Sequence, residues 1–112
     1  MNEADVIRVR HMLLAATTSQ TMLVDETRAS LDTDIKLQLA LTKAIEVIGE
    51  AASKITPQTR ARFPGVPWVG VIGMRNVLIH AYFNIDLDQL WETATIDLPP
   101  LIGQLEEILS LK

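Results

Sequence analysis

The chain contains no cysteine. That absence excludes disulfides, thiolate nucleophiles and Cys-bound zinc together. It fits a reducing compartment, and a cytoplasmic location is the expectation. No apolar run approaches the ~20 residues needed to cross a bilayer. The stretch from Met12 to Ala16 comes nearest to the core of a leader peptide. It is short, follows mixed charges at Asp5, Arg8 and Arg10, and runs into polar Thr17-Thr18-Ser19-Gln20. Neither a leader nor a membrane anchor is therefore expected. Glycine and proline number five each, too few for a linker-rich or disordered chain. The two histidines form no His-x-x-x-His pair, so neither a zinc site nor any other metal or cofactor site is expected.

Aromatics are scarce at 4 %, yet 48 % of the 112 residues are hydrophobic. The core should accordingly be aliphatic, built from Leu, Ile, Val and Ala. The length suits one domain over 1–112, and a partner subunit would help bury more apolar surface. A net charge of −4 argues against a dedicated nucleic-acid binder. The charge is uneven, however. Residues 1–42 carry four basic and six acidic side chains, 43–82 five basic and two acidic, and 83–112 one basic and six acidic. The positive middle is either a solvated face or a surface that meets phosphate.

Hydrophobic periodicity predicts four to five helices, hence an all-α fold, and shows no convincing strand or repeat. The first helix is expected from Ala4 to Leu23, with Val6, Val9, Leu13 and Ala16 inward and Asn2 as cap. Val24 to Asp32 reads as a connection. The second helix should start near Thr33 or Asp34 and reach Ile55, burying Leu37, Leu41, Ala44, Ile48, Ala51 and Ile55. Beside that stripe, Ala40, Ala44, Val47 and Ala51 form a small-residue face that lets another helix approach closely. Thr56-Pro57 reads as a cap followed by proline at the first helical position, opening a short helix to Phe63. Pro64-Gly65-Val66-Pro67 breaks the chain. A helix from Trp68 carries Val71, Ile72, Met74, Leu78 and Ile79. After a turn at Asn84-Ile85-Asp86, Asp86 and Gln89 resemble a capping box. The last helix follows, and Pro99-Pro100 must kink or interrupt it. Trp68 and Trp91 read as core anchors, and His11 has no polar companion at ligand spacing.

Chemistry concentrates between Arg75 and Tyr82, where a guanidinium, an amide, an imidazole and a phenol fall within eight positions. On an ideal helix Asn76 and His80 lie about 40° apart and Arg75 and Tyr82 about 20° apart, whereas Arg75 and His80 are separated by about 140°. A compact site using Arg75 and His80 therefore needs Arg75's reach, a distortion near Ala81, or a second copy of the segment in a symmetric dimer. The group types suit phosphate chemistry. Arginine holds phosphate through two hydrogen bonds, and histidine gives and accepts protons near neutrality. Each also has a structural role open to it: Arg75 bridging to an acid on the last helix, Asn76 bonding His80, Tyr82 in the core with its hydroxyl at the rim.

Arg75, His80 and Tyr82 spell R-x4-H-x-Y. Joined in order to Ile45-Glu46-Val47-Ile48-Gly49-Glu50-Ala51-Ala52, to Pro67-Trp68 with Ile72-Gly73-Met74-Arg75-Asn76, and to Asp86-Leu87, Leu90-Trp91-Glu92 and Asp97-Leu98-Pro99, the motif resembles the HepT family of HEPN-domain toxins nearly end to end. The resemblance implies an antiparallel HEPN-like bundle that forms a symmetric homodimer, with the two motif segments facing a shared cleft. It implies a metal-independent endoribonuclease that is the toxin of a prokaryotic type VII-like toxin–antitoxin pair. Arg75 would position phosphate, His80 would act as acid or base, and Asn76 would orient the site. Tyr82 would accept AMP groups from the cognate antitoxin, a minimal nucleotidyltransferase of the MntA type. The added charge and bulk would repel RNA. A competing reading is a degenerate helical dimer that binds a nucleotidyltransferase or a nucleotide without cleaving RNA. The Arg75 and His80 pair favours the enzyme; the acidic balance favours the binding module.

Overall fold

The computed structural model describes residues 1–76 and 85–111, all of whose regular elements are helical. Helix α1 spans Glu3–Met22 and starts where Asn2 accepts a 2.7 Å hydrogen bond from the Asp5 amide. Its buried stripe is Asp5, Val9, Met12, Ala16 and Ser19. The phase is thus about one residue off the expected one: Val9 and Ala16 are inside, while Val6 and Leu13 are only half-buried. After a turn in which Asp25 takes φ 62°, the expected connection contains a further short helix, α2 (Ser30–Thr33). Leu31 makes it possible, since its side chain is fully buried in the core. The Gln38 amide also donates to the Leu31 carbonyl.

Helix α3 (Ile35–Ser53) is capped by Asp34, whose carboxylate accepts from the Leu37 amide at 3.0 Å. It packs along α1 and against α5, with a smaller contact to α6. Leu37, Leu41, Ala44 and Ile48 face inward as periodicity predicts, and Ile55 just beyond the helix is buried too. Ala51 is half-buried instead, and Ile45, Gly49 and Ala52 join the buried side. Each fully buried Leu or Ile contributes about 1.5–3 kcal/mol, so the helix is held mainly by this face. Helix α4 (Pro57–Arg62) begins at the Thr56 cap with proline at its first position.

Helix α5 (Trp68–Gly73) stops earlier than the apolar pattern suggests. Met74, Arg75 and Asn76 follow as tighter turns, with the Arg75 amide donating to Ile72 and the Asn76 amide to Gly73. Such i→i−3 bonds advance each residue by about 120° rather than the helical ~100°. Trp68 is the anchor expected of it: it is buried, and its indole N–H donates to the Phe63 carbonyl at 2.9 Å. Leu78, Ile79 and Asn84 lie outside the described residues.

Asp86 caps α6 (Leu87–Glu92) by accepting from the Gln89 amide at 3.0 Å. Half-buried Trp91 packs against the core. Between α6 and α7 (Leu98–Ser110) the chain neither breaks nor simply kinks; it widens into a π turn over Thr93–Asp97. There the Leu98 amide reaches back to the Thr93 carbonyl. Pro99, lacking an N–H, cannot serve the Ala94 carbonyl. The Gln20 amide from α1 fills that place at 2.8 Å.

Candidate functional site and basic groove

Two junctions frame the site, one seating the α5 end against α3 and the other tying the α1 start to the start of α4. The first is steric. A Cβ on Gly49 would fall on the Arg75 amide nitrogen, 2.9 Å from the Arg75 Cβ and 3.0 Å from its Cα. Only glycine lets the Arg75 backbone lie this close to α3. The second is electrostatic. Asp5 is a fully buried carboxylate that accepts 2.6 Å hydrogen bonds from both the Thr56 and Thr59 hydroxyls and a 3.2 Å bond from the Thr56 amide. Burial pushes its pKa upward, but the hydrogen bonds from Thr56 and Thr59, with Arg8 nearby, outweigh that and hold it below the usual carboxylate range. Arg8 sits 3.8 Å from Asp5 and donates to the Lys54 carbonyl at 3.2 Å.

Between these junctions lies a groove of about 610 Å³. From α1 it is lined by Ala4, Ile7, Arg8 and His11, and from α3 by Lys43, Glu46, Val47, Glu50 and Ala51, with Lys54 at the helix end and Arg75 after α5. The volume falls within the ~300–1,000 Å³ typical of ligand sites. Among the described residues, Val47 and Ala51, from the predicted small-residue face, line this groove between α1 and α3. Four cations and two carboxylates face the groove, so a net-acidic chain carries a locally positive surface.

Arg75, the first residue of R-x4-H-x-Y, reaches this groove. Its side chain is about one-third exposed, and its guanidinium lies 3.8 Å from Glu50. The acid is on α3, not on the last helix. Glu50 also sits 3.5 Å from Lys54. Pairs this exposed are worth roughly 0–1 kcal/mol, so Arg75 remains available to an incoming anion. Asn76 is exposed beside it. His80 and Tyr82 lie outside the described residues. The 140° separation between Arg75 and His80 assumed an unbroken α-helix, and the tighter turns at Met74–Asn76 remove that premise at Arg75 itself.

Reading from the sequence missed Arg8, His11, Lys43, Glu50 and Lys54 as neighbours of Arg75. A signal was present within each helix. Ala4, Ile7, Arg8 and His11 recur at three- and four-residue steps, as do Lys43, Glu46, Val47, Glu50, Ala51 and Lys54. These are the spacings of single helix faces.

The family profile described as Ribonuclease HepT-like matches residues 12–108. The chain belongs to the HepT-like ribonuclease family. Among its curated relatives, a Methanocaldococcus jannaschii protein bearing an RNase name is 41 % identical over 70 residues, covering 62 % of this chain and 64 % of the relative. A Thermococcus cleftensis protein bearing the name ribonuclease HepT is 41 % identical over 75 residues, covering 67 % of this chain and 68 % of the relative. A second RNase-named protein of M. jannaschii is 38 % identical over 73 residues, covering 65 % of this chain and 60 % of the relative. The chain thus spans a little under two thirds of the length of the first of these HepT-like relatives. No solved structure matches. Among the described residues no helix is long and apolar enough to cross a membrane.

Proposed function

We propose that this HepT-like chain is a metal-independent endoribonuclease acting through Arg75 and His80, with Asn76 in support. Family membership and the R-x4-H-x-Y spacing support the reading. The observation that carries it is the seating of Arg75. Gly49 fixes its backbone on α3, and its partly exposed side chain lines a positive groove. In the proposed reaction a base takes the proton of an RNA 2′-hydroxyl, and that oxygen bonds to the adjacent phosphorus. The bond to the 5′-oxygen breaks, and an acid returns a proton to that leaving oxygen. Arg75 neutralises the charge that builds on the phosphate oxygens, while His80 moves a proton. In a symmetric homodimer the site would hold two copies of each group.

The finer reading is that the chain is the toxin of a cytoplasmic toxin–antitoxin pair. An MntA-like minimal nucleotidyltransferase would silence it by adding AMP to Tyr82, the sole tyrosine. Phosphate at that position repels RNA by the same electrostatics that attract it to Arg75.

The test is cleavage of RNA by purified, unmodified protein with a chelator present, beside a folded His80→Ala control. Cleavage by the native chain and its loss in the variant is the expected result. Absence of cleavage by a verified dimer across several RNA pools would favour the non-cleaving binding module. Light scattering at micromolar concentration should give twice the chain mass; a clean monomer counts against the shared cleft. Co-expression with the nucleotidyltransferase should raise the intact mass in AMP steps that vanish in Tyr82→Phe. Persistence there would move the modified residue elsewhere.

A further inference from the structure

We infer that the α1–α3 groove is a track for the phosphate backbone of single-stranded RNA flanking the cut site, with Lys43, Lys54 and Arg8 as sequence-independent contacts. This rests on RNA being the substrate and goes beyond the R-x4-H-x-Y segment to surfaces on two other helices.

Three observations converge on it. The groove is continuous with the proposed catalytic residue, since Arg75 is part of its wall. Its charge opposes that of the chain, with four cations facing it against two carboxylates on a protein of net charge −4. From Lys43 to Lys54 the α3 wall runs about 16 Å at ~1.5 Å per residue, long enough for cations at its two ends to meet different phosphates.

Glu50 explains how the track is kept when empty. One of its oxygens lies 3.5 Å from Lys54 and the other 3.8 Å from Arg75. The carboxylate thereby occupies, between two cations, the place a phosphate would take. An entering phosphate must compete with it, so removing this charge should tighten binding, whereas removing a cation should weaken it. Lys43 makes no ion pair among the described residues, and it lines the groove one turn from Glu46. The floor between the cations is apolar, formed by Ile7, Val47 and Ala51. It can take a sugar or base edge without hydrogen-bond readout, which suits a contact indifferent to sequence.

The experiment measures binding of labelled single-stranded RNA 12-mers of three unrelated sequences by fluorescence anisotropy, in a His80→Ala background that leaves the RNA uncut. Salt is varied, and the mass and melting point of each variant are checked. Lys43→Gln and Lys54→Gln should each weaken binding roughly three- to tenfold at low salt, equally for all three sequences, and flatten the salt slope by about 0.7. Glu50→Gln should tighten binding. Arg10→Gln, which removes a charge from the same helix as Arg8 but outside the groove, should change it less than twofold. The inference is overturned if Arg10→Gln weakens binding as much as Lys43→Gln, because net charge alone would then account for it. It is equally overturned if Glu50→Gln fails to tighten binding, or if affinity falls only because Lys43→Gln splits the dimer, which would make the groove a subunit interface. The readout requires no catalysis. An inactive native chain with this pattern of affinities would remove the nuclease reading and leave the track. Normal cleavage with unchanged affinities would remove the track alone.

Discussion

The two junctions that frame the groove do the same job by opposite means. At Gly49 the Arg75 backbone is seated by the absence of a side chain. At Asp5 the start of α4 is seated by a buried charge gripping two hydroxyls and an amide. The steric junction has no titratable part and should be indifferent to pH and salt. The electrostatic one depends on a single proton. A groove edge can thus be fixed either by space or by charge, and the two differ in what breaks them.

The largest expected effect is at the steric junction. Gly49→Leu forces a side chain onto the Arg75 backbone, which cannot swing aside as a flexible side chain would. Overpacking of this kind costs about 1–3 kcal/mol or more, and the displaced groups include Arg75. Chemical denaturation should show the loss, and RNA cleavage should fall beyond what the remaining folded fraction explains. Cleavage that merely tracked the folded fraction would mean the junction supports the fold and not the site.

Next comes Asp5→Ala, which strands the Thr56 and Thr59 hydroxyls and the Thr56 amide; about 2–3 kcal/mol is expected from unsatisfied buried partners. The native protein should show the same dependence in acid. The Asp5 pKa is depressed on folding, so its contribution is complete above the unfolded carboxylate value of about 3.9 and is lost as pH falls through that value and then through the folded one. Denaturation midpoints measured from pH 6 to pH 2 should therefore drop more in the native chain than in Asp5→Ala. Parallel curves would show that Asp5 is not the group responsible. In Gly49→Leu the acid-dependent part should survive, which separates the two junctions.

The smallest effect is expected where a neutral amide does what Asp5 does with charge. Gln20→Ala leaves the Ala94 carbonyl without its donor and should cost about 1 kcal/mol, with no pH dependence across the same range. A change well below that would mean water replaces the Gln20 amide at the π turn.

Much of this architecture was legible from local chemistry. Asn2, Asp34, Thr56 and Asp86 are all short polar side chains that cap the helices they precede, because capping acts within three residues. The inward face of α3 followed from spacing alone at Leu37, Leu41, Ala44 and Ile48. The phase of α1 did not. Its buried stripe includes Asp5 and Ser19, polar residues that no hydrophobic pattern selects: Asp5 is satisfied by Thr56 and Thr59 far along the chain, Ser19 by donating to the Ala16 carbonyl one turn back. Leu31 hid a short helix in a segment whose other residues are mostly polar. The double proline announced an irregularity, but its resolution as a π turn depends on Gln20, 74 residues distant from Ala94.

The sequence by itself determined that this is a helical protein, where most of its helices begin, and that Arg75, His80 and Tyr82 stand in a HepT-like order. All of these are written in spacings of a few residues, over which backbone geometry is fixed. Tertiary structure alone decided that Gly49 is the seat of Arg75, that Glu50 is its acid, and that Arg8, His11, Lys43 and Lys54 share its groove. Those relations join α1, α3 and the turn after α5. They arise when burial of the aliphatic core sets how the helices rotate against one another, and no single helix carries that information.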